Sequence, residues 1–482
     1  MHQQTKWGQF GTLITVFFFW GFVAASNDIL IPVFKKAFSL SQAQSQLVAV
    51  AFYVAYTVGS IIYMVISSII GGDILNKIGY KNGIALGLSI SALGTLLFYP
   101  AANNGSFTLM ISGLFIVALG FSLQQIAANP LVVVMGDPKT GSQRLSMAGG
   151  VNNFGTTIGP LLVSYAIFGS VSSSNTVASI ENVKIPYLIV GATFLMVALF
   201  IKFSSVPNHI NLETENSALP KEQAVAVKQK SAIEYPQLWM GMIGIFVYVG
   251  VEVATASNLP EYLKEHLAIS TDKLAPFISL YWASLMVGRW ASSVGAFNVS
   301  KTTTTVLKII VPYLAFGVFL VANSIAQHDI SEFYIYAFVI ALMIVGDFLS
   351  KGNPASMLFI FSSFGIIALI IGMLTSGMVS VYAFVSVGLF CSTLWPCIFT
   401  LAVSGLGSST NQGSSLLIMM IMGGGLISFL QGYVASDKIL GIQYSYIVDV
   451  ACFAYLAFYA IKVKGILKKQ HIDFDVIVGG GH

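Results

Sequence analysis

The sequence predicts an all-α polytopic membrane protein, and three observations carry that expectation. Of 482 residues, 56% are hydrophobic and 9% are charged, whereas ordinary soluble domains are about one quarter charged. Apolar runs of about 18 to 25 residues, the length a helix needs to cross the hydrocarbon core, recur between charged or Gly/Pro/Ser-rich breaks. Lysine and arginine collect at alternate breaks, the asymmetry that orients a multi-pass chain.

The runs fall at about 10–34, 44–70, 82–101, 107–135, 145–170 and 186–203, and then at 236–260, 274–297, 303–325, 332–349, 354–375, 378–404, 412–435 and 443–463. The predicted total is fourteen spans. The first run is too long for a signal-peptide core and continues through Pro32, so it is read as a retained span. The polar stretch "SSVPNHINLETENSALPKEQAVAVKQKSAIE" divides the chain into an N-terminal unit (1–203), a cytoplasmic linker (204–235) and a C-terminal unit (236–482). With the N-terminus inside, Lys6, Lys77, Lys81, Lys139, Arg144, Lys301, Lys351 and Lys464 face the cytoplasm, while Lys35, Lys36, Lys184, Lys264, Lys273 and Lys438 fall outside. Both termini are then cytoplasmic, in a bacterial-type inner membrane.

Several function classes drop out. A net charge of +4 with no basic, aromatic-rich tract gives no sign of nucleic-acid binding. No glycine precedes a Lys-Ser or Lys-Thr pair, so the phosphate loop of an ATP-driven pump is missing. His2, His209, His266, His328, His471 and His482 all lie in predicted loops or tails, so no span builds a histidine metal site. Cys391, Cys397 and Cys452 sit in apolar runs and read as buried thiols. No loop is large enough for a catalytic domain, and neither an enzyme activity nor a cofactor is expected.

Ionisable groups within spans are costly and therefore informative. They are Asp28, Glu252, Arg289, Lys308, Asp347 and Asp449. Glu252, mid-span in "IGIFVYVGVEVATASNLP", is expected to face protein or a wet cavity, where loss of water favours proton exchange near neutrality. Lys308 is expected to snorkel and Asp347 to be wet, since both lie near a cytoplasmic end. Arg289, in "GRW", reads as a helix-end or gating contact. For Asp449 a buried partner and an interfacial position stay open. Amides within spans are expensive unless partnered; Gln124, Gln125, Asn129, Asn152 and Asn153 are the candidates.

The loop "GGDILNKIGYKNG" (71–83) resembles the loop signature of the major facilitator superfamily, with Gly72, Lys77, Gly79 and Lys81 matching; Asn76 replaces the usual acid and Tyr80 one basic residue. The segments "FFFWGFVAASNDILIPVFKKAF", "GFSLQQIAANPLVVVMGDP", "GSQRLSMAGGVNNFGTTIGPLL" and "GSSLLIMMIMGGGLISFLQG" resemble the fucose, galactose and glucose proton symporters of that superfamily. The resemblance implies two six-helix bundles, so the surplus spans read as a hairpin inserted at about 301–350. It also implies a neutral sugar as substrate, a proton as coupling ion with sodium as the competitor, and a monomer in the bilayer. Proton coupling then falls on Asp28 of the "ND" pair and on Glu252, its counterpart in span seven. Asn27, Gln124, Gln125, Asn129, Asn152 and Trp395 become substrate-binding candidates, with Tyr53, Tyr56 and Trp282 as further ring faces. Gly72, Lys77, Gly79, Lys81, Arg144 and Arg289 become gating or structural residues. Gln125 stands where some members carry an acid, and Gly149 where the family has a sugar-site glutamine. A proton-independent uniporter and a non-transporting sugar receptor are the competing readings.

Overall fold

A segment that crosses lipid must satisfy its own backbone, which a helix does within one stretch of chain. The computed structural model describes residues 5–37, 42–168, 181–209, 231–270 and 273–475, without the side chains of 25–37, 42–50, 160–161, 163–168 and 181–183. Its long helices are α1 (Trp7–Ala37), α2 (Gln42–Ile69), α3 (Tyr80–Leu96), α4 (Phe107–Val134), α5 (Gly141–Phe168), α6 (Glu181–Phe203), α7 (Pro236–Leu267), α8 (Ala275–Ser293), α9 (Lys301–Ile325), α10 (Tyr336–Ser350), α11 (Pro354–Leu374), α12 (Gly377–Cys391, continued by Leu394–Val403), α13 (Thr410–Met419, continued by Gly423–Val434) and α14 (Ile447–Lys469).

Twelve helices among the described residues are long and apolar enough to cross a membrane, two fewer than the fourteen spans predicted. The two outside that set are α5 and α8, helical over 28 and 19 residues. Their sequences replace apolar side chains with glycine, serine, asparagine and, in α8, Arg289. Outward faces elsewhere are apolar and exposed, as at Leu199, Phe200, Phe338, Ile367 and Phe429, the pattern of surface that lipid covers.

In the first half α1 packs on α5, α2 on α4, and α3 on α4 and α6; in the second, α7 packs on α13 and α14, α11 on α12 and α14, and α8 on α9 and α12. The halves meet where α5 lies along α8 and where α2 and α4 meet α13. Helices α9 and α10 join the second half: Tyr336 Oη lies 2.8 Å from Ser284 Oγ of α8, and Asn323 Nδ2 donates to Ser279 Oγ at 3.1 Å.

One sequence expectation is overturned here. Asp347 is not wet but 3% exposed, and Lys308 does not snorkel alone, because its Nζ lies 2.6 Å from Asp347 Oδ2. Depth along a helix is not exposure: α10 turns Asp347 toward α9, and the Gly352 carbonyl in the turn beyond accepts from Gln143 Nε2 at 2.9 Å.

The loop end of the bundle is built by basic side chains on backbone carbonyls, where the helix dipole favours cations. Lys77 Nζ donates to Ile70 O, and Lys81 Nζ to Ser204 O at 3.2 Å. Arg144, fully buried, donates to Val132 O at 3.1 Å, to Val133 O, to Asp137 O at 2.9 Å and to Thr140 Oγ1 at 2.6 Å. Asp73 caps the short helix Ile74–Ile78, accepting from Leu75 N at 2.9 Å and Asn76 N at 3.2 Å. Gly79 follows with φ +90°, a backbone that favours glycine.

Candidate functional site

Glu252 lies halfway along α7, and Tyr248 precedes it by four residues, so the two share one helix face. Tyr248 Oη donates to Glu252 Oε2, and Tyr281 Oη of α8 donates to the Glu252 carbonyl at 2.8 Å. Arg289, two turns along α8 from Tyr281, points into the same space. Its Nη2 lies 4.0 Å from Glu252 Oε2 and donates to Tyr248 Oη at 3.2 Å. Its Nε donates to Ser392 O at 3.0 Å. The remaining nitrogen leaves the second half: Nη1 donates to Asn153 Oδ1 of α5 at 2.7 Å and approaches Gly149 O at 3.5 Å. A single guanidinium therefore joins a carboxylate of α7 to an amide of α5.

Gly149 makes this approach possible. A Cβ at that position would stand 3.1 Å from Arg289 Cδ and 3.2 Å from its Nη1, tighter than ordinary contact. The room beside Gly149 is occupied by Arg289. One turn of contact is added by Trp290, whose Nε1 donates to Gly150 O at 3.1 Å. Side-chain exposures of 17% for Glu252 and 11% for Arg289 leave the pair partly open. Trp395, half-buried, holds its ring 6.2 Å from that of Tyr248.

The sequence candidates separate into two groups. Gln125 is half-buried and donates from Nε2 to Tyr56 Oη at 3.1 Å, beside Ile126, whose carbonyl accepts from Ser414 Oγ of α13 at 3.1 Å. Asn152 is also half-buried and donates to Phe17 O of α1 at 3.0 Å. By contrast Gln124 is turned into the first half: Trp20 Nε1 donates to its Oε1, and its Nε2 donates to Ser91 Oγ at 3.1 Å. Both ends of that amide are taken by protein. Asn129 is 2% exposed, with Nδ2 lacking a hydrogen-bond partner among the described residues. Asn27 and Asp28 lie on α1, and their side chains are outside the described residues. Among the described residues no group of His, Cys, Asp and Glu could hold a metal ion.

Sequence reasoning missed Tyr248 as a partner, although its i−4 spacing from Glu252 was a usable signal. The Arg289 connection to α5 had no local signal, because it joins residues 136 positions apart.

Further bonds between halves gather toward the loop end. Tyr80 Oη donates to Asn411 Oδ1, and Asn411 Nδ2 donates to Asp73 Oδ1 at 3.0 Å. Ser415 Oγ donates to Ser60 O at 3.3 Å and Thr57 Oγ1 to Met419 O at 3.1 Å. These contacts close the two halves against each other at the end that carries the 71–79 and 404–411 turns.

Three comparisons bear on this arrangement. The sequence pattern described as Major Facilitator Superfamily matches residues 10–346. The glucose/galactose transporter of Brucella abortus (strain 9-941) is 31% identical over 452 residues, covering 93% of this chain and 92% of its own. The L-fucose-proton symporter of Escherichia coli K12 is 28% identical over 466 residues, covering 94% and 92%. A crystal structure of a Major Facilitator Superfamily transporter, FucP, in the outward conformation aligns with a TM-score of 0.69 at 25% identity, covering 94% of this chain and 98% of that one.

Proposed function

The chain belongs to the major facilitator superfamily, and on that premise we propose that it is a secondary transporter that imports a neutral monosaccharide, a hexose or deoxyhexose, by alternating access with a proton as coupling ion. The observation that carries the reading is the Glu252–Arg289–Asn153 connection, a titratable group linked through one cation to the opposite half. Sites of this class of transporter lie between the halves near the bilayer midplane. The relatives' names, glucose/galactose transporter and L-fucose-proton symporter, supply the substrate class and the ion.

Charge on Glu252 holds Arg289 toward α7, while Asn153 and Gly149 O hold it toward α5. A proton on Glu252 removes the acid that faces the guanidinium and so changes the balance between two packings of the halves. A ligand or proton moves such an equilibrium only through its different affinity for the two states. Gln125 and Asn152 are half-buried amides that can exchange their protein bonds for sugar hydroxyls, and Trp395 offers an apolar face for a sugar ring. Asp28 is the second coupling candidate, with Asn27 beside it.

In this reading α5 and α8 also cross the bilayer, which brings the spans to fourteen, and α9 with α10 is a hairpin added to a two-bundle plan. The protein acts as a monomer in a bacterial cytoplasmic membrane. The closed end, rich in lysine, is cytoplasmic, so the state described opens outward, with units 1–203 and 236–482 as the moving halves. Gly72, Lys77, Gly79, Lys81 and Arg144 then shape the inner closure. One observation favours a proton-independent facilitator instead: Gln125, which carries no proton, stands where some relatives of the sugar symporters have an acid, and it is bonded to Tyr56. Uptake of labelled L-fucose, D-galactose, D-glucose and N-acetylglucosamine decides between these readings. Saturable uptake of one sugar that collapses with an uncoupler supports symport, uptake indifferent to the uncoupler supports the facilitator, and no uptake of any sugar contradicts both.

A further inference from the structure

Glu252 is not the only acid inside the second half. One turn further along α7, Thr255 Oγ1 donates to Asp449 Oδ2 of α14 at 3.2 Å. Asp449 is 0% exposed, and its Oδ1 has no hydrogen-bond partner among the described residues. The sequence leaves its position open, and the mechanism above does not use it.

Among the described residues no ion pair balances the Asp449 carboxylate. The titratable groups that face Asp449 are Cys391 of α12, Tyr281 of α8, and Tyr446 and Cys452 on or beside its own helix. Within two turns of Thr255, α7 carries Tyr248, Glu252, Glu261 and Tyr262, all acidic or neutral; α13 adds the exposed Tyr433, and α11, packed along α14, has no titratable side chain. Tyr446 Oη is likewise buried and without a hydrogen-bond partner among the described residues. Arg289 of α8 is occupied by Glu252, Tyr248, Ser392 and α5. An ionised carboxylate with one hydrogen bond and no counterion is among the costliest groups to bury, whereas a protonated carboxyl is a neutral acid that can also donate.

From this arrangement we propose that Asp449 is a second proton site, a carboxyl that holds a proton in the conformation described and exchanges it with water once per transport cycle. The inference rests on the symport reading above. In the exchange the Asp449 O–H bond breaks when the α7–α14 seam admits water from one side, the proton leaves to that water, and the carboxylate takes a proton from water on the other side only after the first opening has closed. Neither an oxidant nor a further reactant takes part. Glu252 on α7 and Asp449, which bonds Thr255 one turn further along that helix, then titrate in the same half without sharing Arg289.

The test uses the full chain in proteoliposomes. Infrared spectroscopy with carboxyl-labelled aspartate reads protonated aspartate directly: a protonated-acid band at neutral pH that disappears in Asp449→Asn is expected, and its absence from the parent protein overturns the proposal. Uptake then uses whichever of L-fucose, D-galactose and D-glucose the parent transports fastest, under a one-unit pH gradient without membrane potential. Each coupled proton supplies about tenfold of accumulation there, since one pH unit is about 1.4 kcal/mol. Asp449→Asn is expected to keep sugar exchange but to lose about tenfold in limiting accumulation and one proton per sugar. Unchanged accumulation and stoichiometry make Asp449 a fixed structural acid and overturn the proposal. A parent protein that moves sugar without protons contradicts the symport reading itself and takes this exchange with it, and accumulation that follows sodium at fixed pH does the same. Should Asp449→Asn fail to reach the membrane, Thr255→Val keeps the acid and removes its partner; the infrared band must then shift, and an unmoved band contradicts the assignment.

Discussion

Arg144 and Arg289 are both buried arginines at the ends of transmembrane-length helices, yet their partners differ in kind. Arg144 spends its donors on Val132 O, Val133 O, Asp137 O and Thr140 Oγ1, all within twelve residues of itself. Arg289 reaches across the chain to Glu252, Tyr248, Ser392 O and Asn153. Backbone carbonyls do not titrate, so the first arginine closes a helix end and stays there. A carboxylate does titrate, and the second arginine is tied to a group whose charge can change. On the proposed mechanism, burial of a cation is thus a structural feature in one half and a switchable one at the seam between halves.

A third cation, the half-buried Lys308, gives the largest expected effect and sharpens this distinction, because its partner Asp347 is a buried carboxylate within the same hairpin. Removing the buried acid leaves the half-buried ammonium uncompensated, so Asp347→Leu is expected to cost about 3 kcal/mol, the low end for a buried pair. The double change Lys308→Leu/Asp347→Leu should recover most of that loss in a thermal melt. A double variant no more stable than Asp347→Leu would show that the pair does more than neutralise itself.

Next in size is the contrast between the arginines. Arg289→Gln is expected to lower proton-driven uptake by about 100-fold, on the order of 2.8 kcal/mol, at near-normal levels of folded protein. Arg144→Gln should do the opposite, reducing folded protein by leaving buried carbonyls unpaired at about 1–3 kcal/mol for each, with smaller losses of uptake per folded molecule. If both variants lose uptake and stability in the same proportion, the contrast fails. Asn153→Ala removes the shorter of Arg289's two contacts on the far side of the seam and leaves Gly149 O, a hydrogen bond to a charged donor being worth about 1.5–3 kcal/mol. It is expected to slow uptake by about tenfold with little change in the sugar concentration at half-saturation; a change confined to half-saturation would instead make Asn153 a sugar ligand.

The smallest effect belongs to the tail. Asp475 lies beyond α14, where bonds from Lys468 and Lys464, 2.8 and 2.9 Å away, hold its carboxyl below the usual carboxylate range; Asn353 Nδ2 also donates to it at 2.8 Å. A depressed acid stabilises the fold above its unfolded titration range and loses that contribution as pH falls through the folded value. Asp475 is largely solvated, so Asp475→Asn should cost below about 1 kcal/mol at neutral pH, and the difference from the parent should vanish on acidification. A difference that persists in acid would mean that the contact is not electrostatic.

Much of the fold is written in apolar run length. The run at 107–135 appears as Phe107–Val134, and the run at 354–375 as Pro354–Leu374. Which way a side chain faces is harder to read. Asp347 lies three residues from the end of α10, a position that suggests water, but its face of the helix meets Lys308. Gln124 and Gln125 are neighbours in sequence with opposite destinations, one locked to Trp20 and Ser91, the other beside Tyr56 near the seam. Helical rotation separates adjacent residues by about 100°, and run length carries no information on that angle. Glu252 was legible because a mid-span acid is costly wherever it faces; its connection to Asn153 depended on how two helices far apart in sequence dock.

The most direct measurement is external pH in lightly buffered, de-energised cells expressing the protein, with each hexose added in turn. Alkalinisation on adding one sugar, diminished in Glu252→Gln while that variant still exchanges labelled sugar, is the expected result. Uptake of labelled sugar with no change in pH, or alkalinisation that survives Glu252→Gln undiminished, would contradict the assignment of Glu252 to proton coupling.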